Sequence, residues 1–530
     1  MNRTGAAPGG LENLVPYCTV ALFSLWPFVN FTLANIFEAF SYSRLLLFAL
    51  VFLLAALLAF KVAEKILFRG HAQAAAVYVS MLVVCFFAYE IISLAAHTAF
   101  GQYHLRTWAV IALLTFGVGF FAAKTKFLQV AAPFVGLAMV VLPLVQIALA
   151  LSQDVEQLQD AADGAESESG QSEKIAQRRS VYYIMTDGYP RDDVLAELGH
   201  DNEPFLKSLE ERGFYIAREA RANYESTLFT LASQFFREYV ITDEREVSVA
   251  TVTARMQAAQ KGDNPVHEFF LAEGYRTAIL SSSARNCNPR IDLCASKSTN
   301  GFGLGQLEAK FLGLTPLIHL ASKPSFANEY SYTPDLLKFL DEITALRPVF
   351  LFAHLLDVHP PFTYSKDCQQ SFEGKTDFYH YYFEPEFFFS VKCANANLLK
   401  IADRLISADP DSIIVIAADH GSAFNLFVNG EYETSTDPGT LYERYASFAA
   451  WYLPAECQDS LYPGLSPVNT FRLVIPCLTE EKPQPRPDLT FFREDFSSGG
   501  HAWKRLPVEL SRDKRPDLTR RLREKGLLAK

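Results

Sequence analysis

The stretch SIIVIAADHG, residues 412–421, decides the fold. Six apolar residues follow one another from Ile413 to Ala418 without alternation. A strand built from such a run needs cover on both faces. The run then breaks at Asp419-His420-Gly421. Three further runs read the same way: SVYYIMTD (180–187), YRTAILSS (275–282) and PVFLFAHL (348–355). Helical patterns lie at 190–197, 203–212, 333–344 and 389–407. Continuous apolar strands separated by helices predict an α/β domain with a central, mostly parallel sheet. Sheets of this kind place ligands at the carboxyl ends of their strands. Asp187 and the Asp419-His420 pair fall at two such ends.

The first 152 residues have a different character. Glu12 and Glu38 enclose 25 uncharged residues, Arg44 and Lys61 enclose 16, His71 and Glu90 enclose 18, Arg106 and Lys124 enclose 17, and Lys126 and Asp154 enclose 27. A bilayer core takes about 20 apolar residues. Five transmembrane helices are predicted, near 14–37, 43–61, 73–97, 105–123 and 127–151. Glu90 and His97 fall in or at the end of the third. Lys61, Lys65, Arg69, Lys124 and Lys126 crowd two loops, against Arg44 and Arg106 on the other side. Basic loops stay inside. The N-terminus is therefore expected in the cytoplasm and the 180–530 region, after an odd number of spans, outside. The stretch 153–179, poor in apolar residues, reads as a flexible acidic linker. A basic tail follows at 504–530 and reads as a solvated helix or a headgroup-binding segment. The divisions expected are thus 1–152, 153–179, 180–503 and 504–530.

The 530 residues carry a net charge of -11, which excludes a general nucleic-acid binder, and 44 Phe and 23 Tyr, which exclude a disordered chain. Six of the eight cysteines lie in the exported region, where disulfides form. Six allow 15 connectivities; pairing of sequence neighbours (287–294, 368–393, 457–477) is the expectation. No CxxC or paired-histidine spacing favours a zinc site there.

Three segments carry chemistry: IMTDGY with Asp187, NYESTLFTLASQF with Thr227 at the start of a predicted helix (227–237), and AADHGSAF with Asp419 and His420. Two carboxylates and an imidazole suit zinc, manganese or magnesium. A threonine hydroxyl attacks poorly near neutral pH unless a cation and a helix N-terminus favour its anion. Ser226 is the alternative nucleophile. A fourth segment, HLLDVHPPF (354–362), supplies His354 and His359.

In this order the segments resemble the sulfatase-like branch of the alkaline phosphatase superfamily over roughly 180–480. With the membrane spans, the chain resembles lipoteichoic acid synthases and lipid A phosphoethanolamine transferases. That resemblance implies an α/β sandwich, one divalent metal (zinc or manganese) on Asp187, Thr227, Asp419 and His420, and Thr227 as nucleophile. It implies His359 as the group assisting the leaving oxygen, and His354, His359 and His501 as substrate-side residues. His354, Asp357, His359 and His501 would form a second metal site. A formylglycine sulfatase needs a CxPSR-like motif; here TLFTL puts Thr227 at the cysteine position, with Phe229 and Leu231 in place of proline and arginine. The implied activity is transfer of a phosphoethanolamine- or phosphoglycerol-type group from a phospholipid donor to an envelope glycan or lipid acceptor. Sulfate-ester or phosphodiester hydrolysis and a catalytically silent binding protein are the alternatives. Arg444, in ERYASFAAWYLP, is expected in a structural ion pair or at the site.

Overall fold

A computed structural model describes residues 13–35, 43–100, 104–164, 175–242, 249–281, 287–295, 311–319, 332–371, 383, 385–428, 431–432, 437–493, 503–524 and 526. The chain divides into two compact units, one of residues 1–153 with 304–323, the other of 154–303 with 324–530.

The first unit holds helices α1 (Val15–Ala34), α2 (Ser43–Ile66), α3 (Ala72–Phe87), α4 (Tyr89–Phe100), α5 (His104–Ala122) and α6 (Lys126–Gly164). Four of them are long and apolar enough to cross a membrane: α1, α2, α5 and α6. Their exposed surface is leucine, valine and phenylalanine, the outer face of a bundle whose solvent is lipid. The predicted third span is two helices broken at Ala88. At 16 residues α3 rises only about 24 Å, short of a hydrocarbon core of roughly 30 Å. A crossing there needs α4 as well. Glu90 is exposed in the first turn of α4, where a carboxylate favours the helix dipole; the side chain of His97 lies outside the described residues. Helix α6 runs on to Gly164 and takes in the first part of the expected linker. The sequence QDVEQLQDAAD contains no Gly or Pro and is rich in helix formers, so solvation does not stop the helix. A distant stretch of chain also joins this unit. Phe311 is fully buried among Phe28, Phe31, Phe52 and Phe87, its ring centroid 4.4 Å from that of Phe28.

The second unit is built on a seven-stranded sheet in the order β2-β9-β6-β1-β5-β3-β4. Its strands are β1 (Val181–Thr186), β2 (Tyr215–Ile216), β3 (Arg276–Leu280), β4 (Leu293–Ala295), β5 (Val349–Leu355), β6 (Ile413–Ala418) and β9 (Ala449–Tyr452). A small hairpin, β7 (Phe427–Val428) with β8 (Glu431–Tyr432), lies apart from it. Pairs β6-β1, β1-β5, β5-β3 and β3-β4 are parallel; β9 and β2 close one side antiparallel. The absence of alternation in the sequence is explained by two cores. From β1, Tyr182 and Ile184 enter one layer while Val181, Tyr183 and Met185 enter the other. In β6, Ile414 and Ile416 face the first, and Ile413 and Val415 the second. Every residue of β1, β5 and β6 is buried.

The basic tail is no separate element. Trp503–Arg505 pairs with Phe491–Arg493 as a two-stranded ladder, and Leu510, Leu518 and Leu522 are buried in the first core. The guanidinium of Arg512 binds Asp192 at 2.8 Å and that of Arg515 binds Glu197 at 2.6 Å. Acidic partners from residues 192–197 thus pair with two of the tail's cations. Disulfides join Cys287–Cys294, Cys368–Cys393 and Cys457–Cys477.

Candidate active site

Parallel pairing aligns the strand ends. Thr186 of β1 stands beside Leu355 of β5 and Ala418 of β6. The next residues on β1 and β6, Asp187 and Asp419, therefore emerge side by side at the carboxyl edge. The helix Thr227–Phe236 lies against the second core through Leu231 and Phe235. Thr230 Oγ1 donates to the Asp419 carbonyl at 3.2 Å, which fixes the start of this helix over the end of β6. Thr227 is its first residue, so its hydroxyl sits at the positive end of the helix dipole.

One oxygen each from Asp187 and Asp419 and a ring nitrogen of His420 lie within 4.8 Å of one another, and all three residues are buried. His420 Nε2 is 3.6 Å from Asp187 Oδ1 and 3.3 Å from Asp419 Oδ2. Its Nδ1 is 3.0 Å from the Gly421 carbonyl. That contact makes Nδ1 the protonated nitrogen and leaves Nε2 a lone pair for a ligand. Thr227 Oγ1 is 3.4 Å from Asp187 Oδ2 and 3.5 Å from His420 Nε2. Both are at the long limit of hydrogen bonding, so the hydroxyl is committed to neither. Ser226 occupies the N-cap position without a side-chain cap bond and makes none of these contacts.

Two buried oxygens, Asp187 Oδ1 and Asp419 Oδ2, have no hydrogen-bond partner. Each such group costs about 1–3 kcal/mol. Burial raises both carboxyls. For Asp187 the charges and hydrogen bonds of His359, His354 and His420 outweigh burial and hold it far below the ordinary range. Asp419 is pushed up to about 6, by burial first and then by the neighbouring Asp187 charge. Burial, then Arg444, drives His420 well below its usual value. Two adjacent carboxylates and a neutral imidazole, with orphaned oxygens turned to one place, are a donor set that a divalent cation satisfies.

His354 lies inside β5 and reaches Asp187 Oδ2 through Nε2 at 3.1 Å. Burial lowers its pKa, but Asp187 more than compensates and raises it overall. His359 is half-buried in the loop after β5, with Nδ1 2.6 Å from the Pro360 carbonyl, and its charge acts on Asp187. Among the described residues Asp357 does not join a metal cluster. Its carboxylate accepts from Thr333 N–H (2.8 Å), Thr333 Oγ1 (2.7 Å) and Tyr364 OH (2.6 Å), which uses it up in holding a helix start. His501 lies outside the described residues.

Arg444 lies at the edge of the site, as one of the two expectations had it. Its guanidinium donates to the carbonyls of Glu225 and Gly421, both at 3.0 Å, and so ties the segment before Thr227 to the segment after His420. Its neighbours act alike. Tyr445 OH donates to Glu225 Oε2 at 2.7 Å. The buried Glu443 carboxylate accepts from Ser422 Oγ and from the N–H groups of Phe424 and Asn425. The signal for Glu443 was present: a charged residue in an otherwise buried run before an apolar strand.

The sulfatase family model matches residues 179–443, half of the chain. The chain belongs to the sulfatase family. It joins a sulfatase-family unit to helices of which four, among the described residues, are long and apolar enough to cross a membrane. No curated protein sequence matches. Among solved structures, the chain is similar to the C-terminal periplasmic domain of EcEptC from Escherichia coli (14% identity, TM-score 0.41, 66% of this chain and 96% of that one). It is also similar to the integral membrane protein lipooligosaccharide phosphoethanolamine transferase A from Neisseria meningitidis (13%, 0.41, 87% and 95%). A third is the phosphonate monoester hydrolase of Agrobacterium radiobacter (13%, 0.34, 61% and 82%).

Proposed function

We propose that this protein transfers a phosphoethanolamine- or phosphoglycerol-type group from a phospholipid to an envelope glycan or lipid, through a covalent intermediate on Thr227. One observation carries the reading: the Thr227 hydroxyl, at a helix N-terminus, touches both Asp187 and His420. A divalent cation, zinc or manganese, would be held by Asp187, Thr227, Asp419 and His420, and would supply acidification of the hydroxyl and charge neutralisation at the phosphoryl oxygens.

Thr227 Oγ1 attacks phosphorus in line with the ester oxygen of the lipid. The Thr227 O–P bond forms and the P–O bond to diacylglycerol breaks. Thr227 releases its proton to water while His359 protonates the departing alcohol, and the proton of the acceptor hydroxyl later restores His359. The acceptor hydroxyl then attacks from the vacated side and Thr227 recovers its proton. His354 holds Asp187 in place throughout. The membrane helices keep the enzyme among its donor lipids, which raises the effective donor concentration. An external catalytic domain and a cytoplasmic N-terminus are supported by the basic loops and by three disulfides in the catalytic unit.

The test is intact mass of the full-length protein after incubation with phosphatidylethanolamine or phosphatidylglycerol and a divalent metal. Wild type and Ser226→Ala gain the mass of the transferred group. Thr227→Ala gains none and loses turnover by about four orders of magnitude. An adduct that persists in Thr227→Ala refutes the assignment. Sulfate-ester hydrolysis is the second reading, favoured by the family match over 179–443. Sulfate release from an aryl sulfate, without cleavage of an aryl phosphodiester, would establish it.

A further inference from the structure

The turn joining α2 to α3 and the turn joining α5 to α6 border an open pocket of about 790 Å3. Arg69 and Lys124 line it, together with His71; no carboxylate does. Among the described residues neither the Arg69 guanidinium nor the Lys124 ammonium has an acidic partner, whereas Lys61 nearby in sequence is paired with Glu64. Lys124 is held over the Phe120 ring, 3.9 Å from its centroid, at the cavity wall. The two turns are tied together: Gln73 Nε2 donates to the Gln129 carbonyl at 2.9 Å, and Gln129 Nε2 to the Ala123 carbonyl at 3.0 Å. Ala72, Gln73 and Ala74 also belong to the wall. They are the first turn of the 16-residue α3, whose N-cap His71 provides no side-chain bond. Their N–H groups have no intrahelical acceptor.

We propose that this cavity binds the phosphate of an anionic phospholipid headgroup. Two unpaired cations and a set of free backbone donors call for one multivalent oxyanion, and phosphate supplies charge and several acceptor oxygens at once. Apolar side chains at and beside the pocket favour a lipid ester over free phosphate: Leu67, in its wall, is 38% exposed, and Phe121 and Phe127, on the adjoining ends of α5 and α6, are 70% and 78% exposed. Helices of membrane length end here, which sets the cavity at headgroup depth. The inside preference of basic residues accounts for Lys65 and Lys126, which do not line the cavity. It does not account for a walled space around Arg69 and Lys124. The site is independent of the donor lipid consumed at Thr227.

The experiment is native mass spectrometry of the full-length protein in phosphatidylcholine-containing micelles, with phosphatidylglycerol added. Retention of phosphatidylglycerol falls about fivefold in Arg69→Ala and again in Lys124→Ala, and stays at the wild-type level in Lys65→Ala and Lys126→Ala. Thermal unfolding of all four in phosphatidylcholine alone guards against simple misfolding. Displacement of the lipid by glycerol phosphate would keep the phosphate site but make a soluble ester its occupant. Equal loss in all four variants means a diffuse charged surface and overturns the proposal, as does loss in none.

Discussion

A ligating carboxylate is placed by whatever holds its other contacts. Asp187 meets His354 through Oδ2 and leaves Oδ1 without a partner. His354 is itself fixed inside β5, between the buried Ala353 and Leu355. Its action on the candidate metal site is therefore through Asp187. We expect His354→Ala to weaken divalent-metal affinity by about 10–100-fold, measured by competition with a chelating dye. His354→Asn, whose amide is also a donor, regains part of the loss. If both variants unfold at lower temperature without metal yet bind metal as wild type, His354 is a packing residue only. At this scale Asp187, Thr227, Asp419 and His420 were legible in the sequence, because a strand end and a helix start are local patterns. Arg444 was not. Its acceptors are backbone carbonyls, one of them 219 residues away, and no side-chain pattern announces a carbonyl.

Among the elements, the helix Pro438–Tyr445 has the least obvious role and the clearest consequence. Its last three residues, Glu443, Arg444 and Tyr445, reach the segments on either side of the candidate site. The loop after β6 must pass close beneath it. A Cβ added at Gly421 would stand 2.1 Å from the Glu443 carbonyl oxygen and 3.0 Å from that of Ala446. Backbone cannot swing aside as a side chain does. Gly421→Ala is expected to cost about 1–3 kcal/mol and to move His420, the adjacent residue. Calorimetry should record a lower unfolding temperature, and the metal titration a lower affinity. A variant with wild-type values in both would mean that the loop has slack that the distances deny. Elements with continuous apolar runs were readable because burial on both faces leaves a local signature. The burial of Phe311 and the packing of the tail were not, since each depends on partners far along the chain. Arg512 reads as a tail charge until Asp192 is seen beside it.

For the whole molecule the question is which side of the membrane each end occupies, and the magnitudes favour one answer. The three disulfides close loops of 7, 25 and 20 residues. Each such bridge contributes about 2–4 kcal/mol, against a total domain stability of about 5–15 kcal/mol. A catalytic unit kept in a reducing compartment would lose a share of stability comparable with the whole. The same orientation puts the end of α2 with Lys61 and Lys65, and the following turn with Arg69, on the cytoplasmic side, as the basic-loop preference requires. Replacing Cys18 and Cys85, the free cysteines, with serine gives a background for topology mapping. A thiol at the exposed Lys514 should then react with a membrane-impermeant maleimide in intact spheroplasts, while one at the exposed Lys65 should react only after lysis. The reverse pattern would place the disulfide-bearing unit in the cytoplasm, where nothing would keep those bridges oxidised, and the lipid-donor reading would fall with it.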